Sequence, residues 1–114
     1  MNDADVPMPP KDSQSIKSYA APLFLLGSTV ATPGALALLE RHGVSAASLL
    51  KRHQYGDWGD LTAQDGSANE IAIKDGSRIL SAYEVGRERL WVITEAEDDR
   101  GTRASTCVLL VAEY

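Results

Sequence analysis

Arg78-Ile-Leu-Ser-Ala-Tyr-Glu-Val-Gly-Arg-Glu-Arg-Leu-Trp-Val-Ile-Thr-Glu95 is the stretch on which the fold turns. Its two runs, Arg78 to Tyr83 and Arg89 to Glu95, are rich in β-branched and aromatic residues and bounded by turn signals, as strands are. Between them, Glu84-Val-Gly-Arg-Glu88 centres a tight hairpin on Gly86. Strand alternation places Arg78, Leu80 and Ala82 on one face and Ile79, Ser81 and Tyr83 on the other. A third run, Ala104-Ser-Thr-Cys-Val-Leu-Leu-Val111, follows a charged turn over residues 96–103 and completes a meander.

Working backwards, the period becomes helical. Thr32 caps a helix over 33–42 with Pro33 in its first turn, Leu36, Leu39 and Leu38 as candidates for its apolar stripe and Gly43 as its left-handed stop. Ser45 caps a second helix that ends at His53, with Lys51, Arg52 and His53 placed as cations at the negative end of its dipole. A third runs from Thr62 or Asp65 to Lys74, with Ala68, Ile71 and Ala72 on one face, stopped by Gly76, with Gly66 weakening its start. Pro22-Leu-Phe-Leu-Leu-Gly-Ser-Thr-Val-Ala31 reads as a first strand. The order is β-α-α-α-β-β-β, an α+β domain expected to form an antiparallel sheet with helices packed on one face. Residues 1–18, with three prolines and three aspartates, read as a disordered lead before a single domain over 19–114.

Composition narrows the function classes. A chain of 114 residues supports one core. Its net charge of −5 opposes general nucleic-acid binding, which relies on clustered Lys and Arg. The charge is uneven: residues 55–76 hold five acids against Lys74. Cys107 is the only cysteine, so no internal disulfide forms, and its apolar run makes it a buried small hydrophobe rather than a reactive thiol. No stretch approaches a membrane span or a signal peptide, and a reducing cytoplasm is the expected location.

Chemistry-bearing residues crowd into His53-Gln-Tyr-Gly-Asp-Trp-Gly-Asp-Leu61. Gly56 and Gly59 permit a tight bend around Asp57 and Trp58, and His53 with Asp57, Asp60 and Asp65 has the donor types for a cation or for proton transfer. Their spacing matches no metal-ligand template, so no metal or cofactor is assigned. The structural alternative is that His53 caps a helix end, Asp57 and Asp60 bond loop amides and Trp58 plugs the core. Helices one and two have the lengths of a helix-turn-helix but lack base-reading side chains, which favours a packed helical hairpin.

Taken together, His53-x-x-Gly-Asp-Trp-Gly-Asp-Leu61, Asn69-Glu70, Arg78 to Tyr83, Trp91-Val-Ile-Thr-Glu95 and the ending Glu113-Tyr114 resemble a family of small bacterial "plasmid-related" proteins carried by plasmids and integrative elements. The similarity spans about residues 22–114 and departs from the family pattern after Glu95, where this chain has a longer turn. It implies an accessory role on mobile DNA and supplies no reaction. The leading expectation is a non-enzymatic protein that binds another protein in counter-defence or plasmid maintenance, through Tyr55, Asp57, Trp58, Asp60 and Asp65. A second is a RelE-like small ribonuclease, by analogy of element order, with His53, Arg78, Tyr83 and Glu113 as acid, base and phosphate-binding groups. A third is a small-ligand or metal-binding domain built on the acidic loop.

Overall fold

Thr32, Ser45 and Thr62 each stand just before a helix, and their side-chain oxygens accept the backbone N–H groups of Ala35, Ser48 and Asp65. Each bond satisfies a donor that helical geometry leaves without a partner, an effect of about 1 kcal/mol per cap. The helices that follow in the computed structural model, which describes residues 21–114, are α1 (Pro33–His42), α2 (Ala46–Gln54) and α3 (Ala63–Asp75). Gly43 and Gly76 end α1 and α3 at φ of 64° and 84°, as the sequence requires. The reading of residues 1–18 lies outside the described residues.

Four strands, β1 (Ser28–Ala31), β2 (Ile79–Val85), β3 (Glu88–Thr94) and β4 (Ser105–Leu110), form one sheet in the order β1-β4-β3-β2. The α+β class stands, but the sheet is mixed rather than antiparallel: β2, β3 and β4 make the meander, whereas β1 runs parallel to β4 with Val30 opposite Cys107. The reason is the connection. β1 and β2 are joined by three helices, a crossover that returns the chain to the far edge of the sheet in the same direction, as parallel strands need. β1 is also shorter than the apolar run suggested. Gly27 turns at φ 68° directly before it, and Leu23 and Phe24 pack instead with Trp58, Ala72 and Ile79.

All three helices pack on one face. Ala35, Leu38 and Leu39 of α1 and Leu49 of α2 pack with Tyr83, Val85, Leu90, Val92 and Val108, while Ala72 of α3 joins the second cluster with Ile79. These strand residues share one parity, so the sequence assignment of Ile79, Ser81 and Tyr83 to one face and Leu80 and Ala82 to the other holds, while Arg78 falls just before the strand.

β2 is an edge strand, yet its outer backbone is occupied. The Asn69 carboxamide donates to the carbonyl of Leu80 at 2.6 Å and accepts its N–H at 3.1 Å, acting as a side-chain substitute for a strand. One residue pair further on, the Ala82 N–H reaches the Trp58 carbonyl and the Asp60 N–H reaches the Ala82 carbonyl. From Leu80 to Ala82 the edge is thereby closed to pairing with another chain. We expect Asn69→Ala to leave both Leu80 groups unpaired and lower stability by about 2 to 4 kcal/mol in urea denaturation. Asn69→Asp keeps the acceptor and loses the donor, and its midpoint should fall between those of the wild type and the alanine variant.

Candidate functional site

His53 does not cap its helix. Its side chain is fully buried, with Phe24 and Trp58 edge-on to the ring at centroid distances of 5.2 and 6.0 Å. Nδ1 lies 2.6 Å from the Ser81 hydroxyl and Nε2 2.8 Å from the Thr94 hydroxyl. Thr94 in turn lies 2.7 Å from Thr106 Oγ1, which donates to the Leu26 carbonyl at 2.8 Å. Ser81, Thr94 and Thr106 are as buried as the imidazole.

The end of this chain fixes every proton in it. A carbonyl only accepts, so the single proton of Thr106 goes to Leu26, and Thr106 must accept from Thr94. Thr94 then has no proton left and accepts from Nε2–H of His53. The imidazole is therefore the Nε2–H tautomer, and Nδ1 accepts from Ser81. Burial pushes the His53 pKa down to about 3, with the Arg103 charge a smaller cause in the same direction. The cation expected at the end of α2 is absent for this reason: desolvation costs the imidazolium more than the helix dipole returns. Ser81 and His53 have the spacing of a nucleophile and its base, but both are fully buried, and the ring's other partner is a hydroxyl in place of a carboxylate.

The remaining residues of the ribonuclease alternative do not converge on His53. Tyr83 is buried, its hydroxyl donates to the Asp57 carbonyl at 2.6 Å, and burial pushes its pKa above the usual phenol value. Arg78 stands exposed one residue before β2 and is not among the groups bonded to the buried imidazole. Glu113 sits at the start of α1, accepting the Thr32 hydroxyl at 2.6 Å and the Leu110 N–H at 2.8 Å, and these bonds hold its carboxyl below the usual range.

In the acidic loop, the structural alternative describes Asp57 and Trp58 well. Asp57 accepts from the Gly59 N–H at 3.1 Å and from Arg52 Nε at 2.6 Å. Gly59, at φ 74°, brings its backbone against Ala82, where a Cβ would meet the carbonyl oxygen and the Tyr83 ring. Trp58 is 8% exposed and its indole N–H donates to Glu70 at 3.3 Å. Asp60 remains on the surface in an ion pair with Arg89, Tyr55 is half-buried, and Asp65 is exposed in the first turn of α3.

The outward face of α3 corrects the sequence reading, which set Ala68 and Ile71 on one face with Ala72: Ala72 is buried, while Ala68 and Ile71 are exposed. Asp65, Ala68, Ile71 and Asp75 follow one another at three- and four-residue spacing, all exposed, and Ile71 is 61% exposed. The signal was present as an apolar residue on the wrong side of a helix whose buried face is only Asn69 and Ala72.

A half-open cleft of about 570 Å3 lies elsewhere, between Leu23–Gly27, Ile73 and the turn holding Glu97 and Arg103. Arg103 is buried there, donating through Nη1 to the carbonyls of Ser77 and Glu95 and through Nη2 to Ala72. Its guanidinium ties the end of α3 to the sheet. Cys107 is half-buried on the face away from the helices rather than in the core, and burial raises its pKa, which keeps it a thiol. Among the described residues, no three His, Cys, Asp or Glu side chains gather closely enough to share a metal ion, and no helix is long and apolar enough to cross a membrane.

The geometry thus defines a mixed-sheet α+β domain with a sealed polar core and an acidic helix face. Comparison with family models, curated proteins and solved structures gave no match.

The folded chain refuses a proton at His53 until about pH 3, while the unfolded chain takes one near 6.5. The unfolded state therefore binds more protons between these values, and acidification should cost stability with a slope that grows from about 0.7 kcal/mol per pH unit at pH 6.5 toward about 1.4 near pH 5. Denaturation midpoints measured between about pH 5 and 6.5, above the ordinary carboxylate range, isolate this slope. His53→Gln should flatten it. Trp58→Ala should lower stability by about 3 to 5 kcal/mol at neutral pH.

Proposed function

We propose that the protein is a non-catalytic binding protein whose acidic α3 face and preceding loop contact a basic protein partner. The observation that carries this reading is Ile71, a large apolar side chain 61% exposed within a helix face bounded by Asp65 and Asp75. An apolar anchor inside a charged rim has the composition of a protein contact, the anchor supplying affinity and the carboxylates orienting and accelerating association. Asp60 extends the acidic rim, with part of its charge offset by Arg89. Asp57 and Trp58, by contrast, serve the loop's own structure, so the proposed contact shifts from the loop to the helix that follows it. The sealing of Ser81 and His53 supports a binding role over a hydrolytic one. The resemblance of residues 22–114 to plasmid-related proteins supports placing that binding on mobile DNA elements, as an accessory to counter-defence or maintenance.

Affinity capture from bacterial lysate with the full chain, followed by mass spectrometry, should recover a dominant partner with a basic contact surface, and recovery should fall as salt rises. Ile71→Ser and Asp65→Asn change exposed positions and should reduce capture at least fivefold while leaving the denaturation midpoint close to that of the wild type. Equal capture by both folded variants would remove α3 from the interface.

A further inference from the structure

We propose that the face of the sheet turned away from the helices carries a second copy of this chain, related by a two-fold axis that lies in the interface perpendicular to the strands. The proposal is independent of the α3 reading.

Strand register arranges this face in four rows. The two central rows are apolar: Leu80, Ile93, Cys107 and Val30 lie side by side in one, and Ala82, Trp91 and Leu109 in the other. Neither hydrophobic cluster formed with the helices includes any of them; Ala82, Ile93 and Leu109 are already buried within the chain, Leu80, Trp91 and Cys107 are half-buried, and Val30 is 53% exposed. Tyr114 packs edge-on against Trp91 at 5.0 Å and is itself 67% exposed, so the patch presents two aromatic rings at its surface. A sheet face with this composition resembles half of a sandwich core.

The outer rows identify the occupant. At one end Arg78, just before β2, and Glu95, just after β3, flank the last registered pair, Ile79–Thr94, and the Glu97 N–H to Gly76 carbonyl bond carries the same register past them; at the other, Glu84 on β2 stands across from Arg89 on β3. All four are exposed. Read in the direction of β2, the order of charge is thus positive to negative beside β2 and negative to positive beside β3. A face-to-face copy turned end for end lays β2 over β2 in opposite directions. Arg78 then meets the second copy's Glu84, and Glu95 meets the second copy's Arg89, and the symmetry repeats both pairs. The central rows meet in the same operation through their half-buried members, Leu80 over the row that holds the buried Ala82 and Trp91 over the row that holds the buried Ile93. A patch that becomes complementary to itself under a two-fold rotation has the property that an isologous dimer requires. Arg89 already bonds Asp60 at 2.6 Å, so the Arg78–Glu84 pair is the cleaner probe.

Sedimentation and light scattering of the full chain over a range of concentrations should show a reversible dimer. Arg78→Glu sets carboxylate against carboxylate twice across the interface and should raise the dissociation constant at least tenfold. Adding Glu84→Arg should restore it to within about threefold of the wild type. Within one chain the double variant opposes like charges at both ends of the β2–β3 pair, so its recovery is attributable to the interface alone. If Arg78→Glu fails to fold, Glu84→Lys probes the same contact from the other side, with the same tenfold loss expected. A monomer at every concentration overturns the proposal, as does a dimer indifferent to Arg78→Glu or Glu84→Lys. A dimer lost in the single variant and not recovered in the double overturns the two-fold arrangement.

Discussion

A proton directed one way through the core links five segments of this chain. From Ser81 on β2 through His53 on α2, Thr94 on β3 and Thr106 on β4 to the carbonyl of Leu26, each hydroxyl or ring nitrogen has one role left once its neighbour's is set. Buried polar groups cost stability when unpaired and specify geometry when all are satisfied. An apolar core would tolerate small shifts of α2 across the sheet; this one does not, because moving His53 by the length of a bond leaves Ser81 without its acceptor and Thr94 without its donor. The placement of α2 in turn sets the start of the loop that carries Asp57 and Trp58, and with it the closure of the β2 edge by Trp58 and Asp60.

That network also marks where sequence reading reached its limit. Caps, stops and strand runs were legible because each rests on local chemistry: Thr32, Ser45 and Thr62 before their helices, Gly43 and Gly76 after theirs, and the parity of residues 79–83. The compact turn around Trp58 was legible for the same reason, in Gly59 and the indole. Three features depended on residues far apart in the chain. The parallel pairing of β1 with β4 leaves no periodicity of its own. His53 looked like a last-turn cation because nothing near it reveals the hydroxyls of Ser81 and Thr94, 28 and 41 positions away. Glu113 looked like a catalytic carboxylate, and only the closing of the fold brings it to Thr32, 81 positions earlier.

Electrostatics separate the two faces the protein offers. The acidic surplus of residues 55–76 is reduced internally by Arg52 on Asp57 and by Arg89 on Asp60, so what remains for a partner is concentrated along α3. The sheet face has no such surplus. Its charges come in opposed pairs around an apolar centre, which suits recognition of a like surface better than of a basic one. Surface charge of one sign and surface charge in balance thus direct the molecule toward different kinds of contact from opposite sides.

The position of β4 has a consequence for how the chain is made. Because β4 lies between β1 and β3, the strand that is translated first among the four has no neighbour until the one translated last arrives. On the ribosome, α1, α2, α3 and the β2–β3 hairpin emerge while β1 waits unpaired and the hydroxyl of Thr94 lacks its acceptor on Thr106. Completion is therefore a single late event, the insertion of residues 105–110 into a gap already lined on both sides. Nascent chains stalled before that point would present two open strand edges, of β1 and β3, and are the species for which a holding chaperone would matter most.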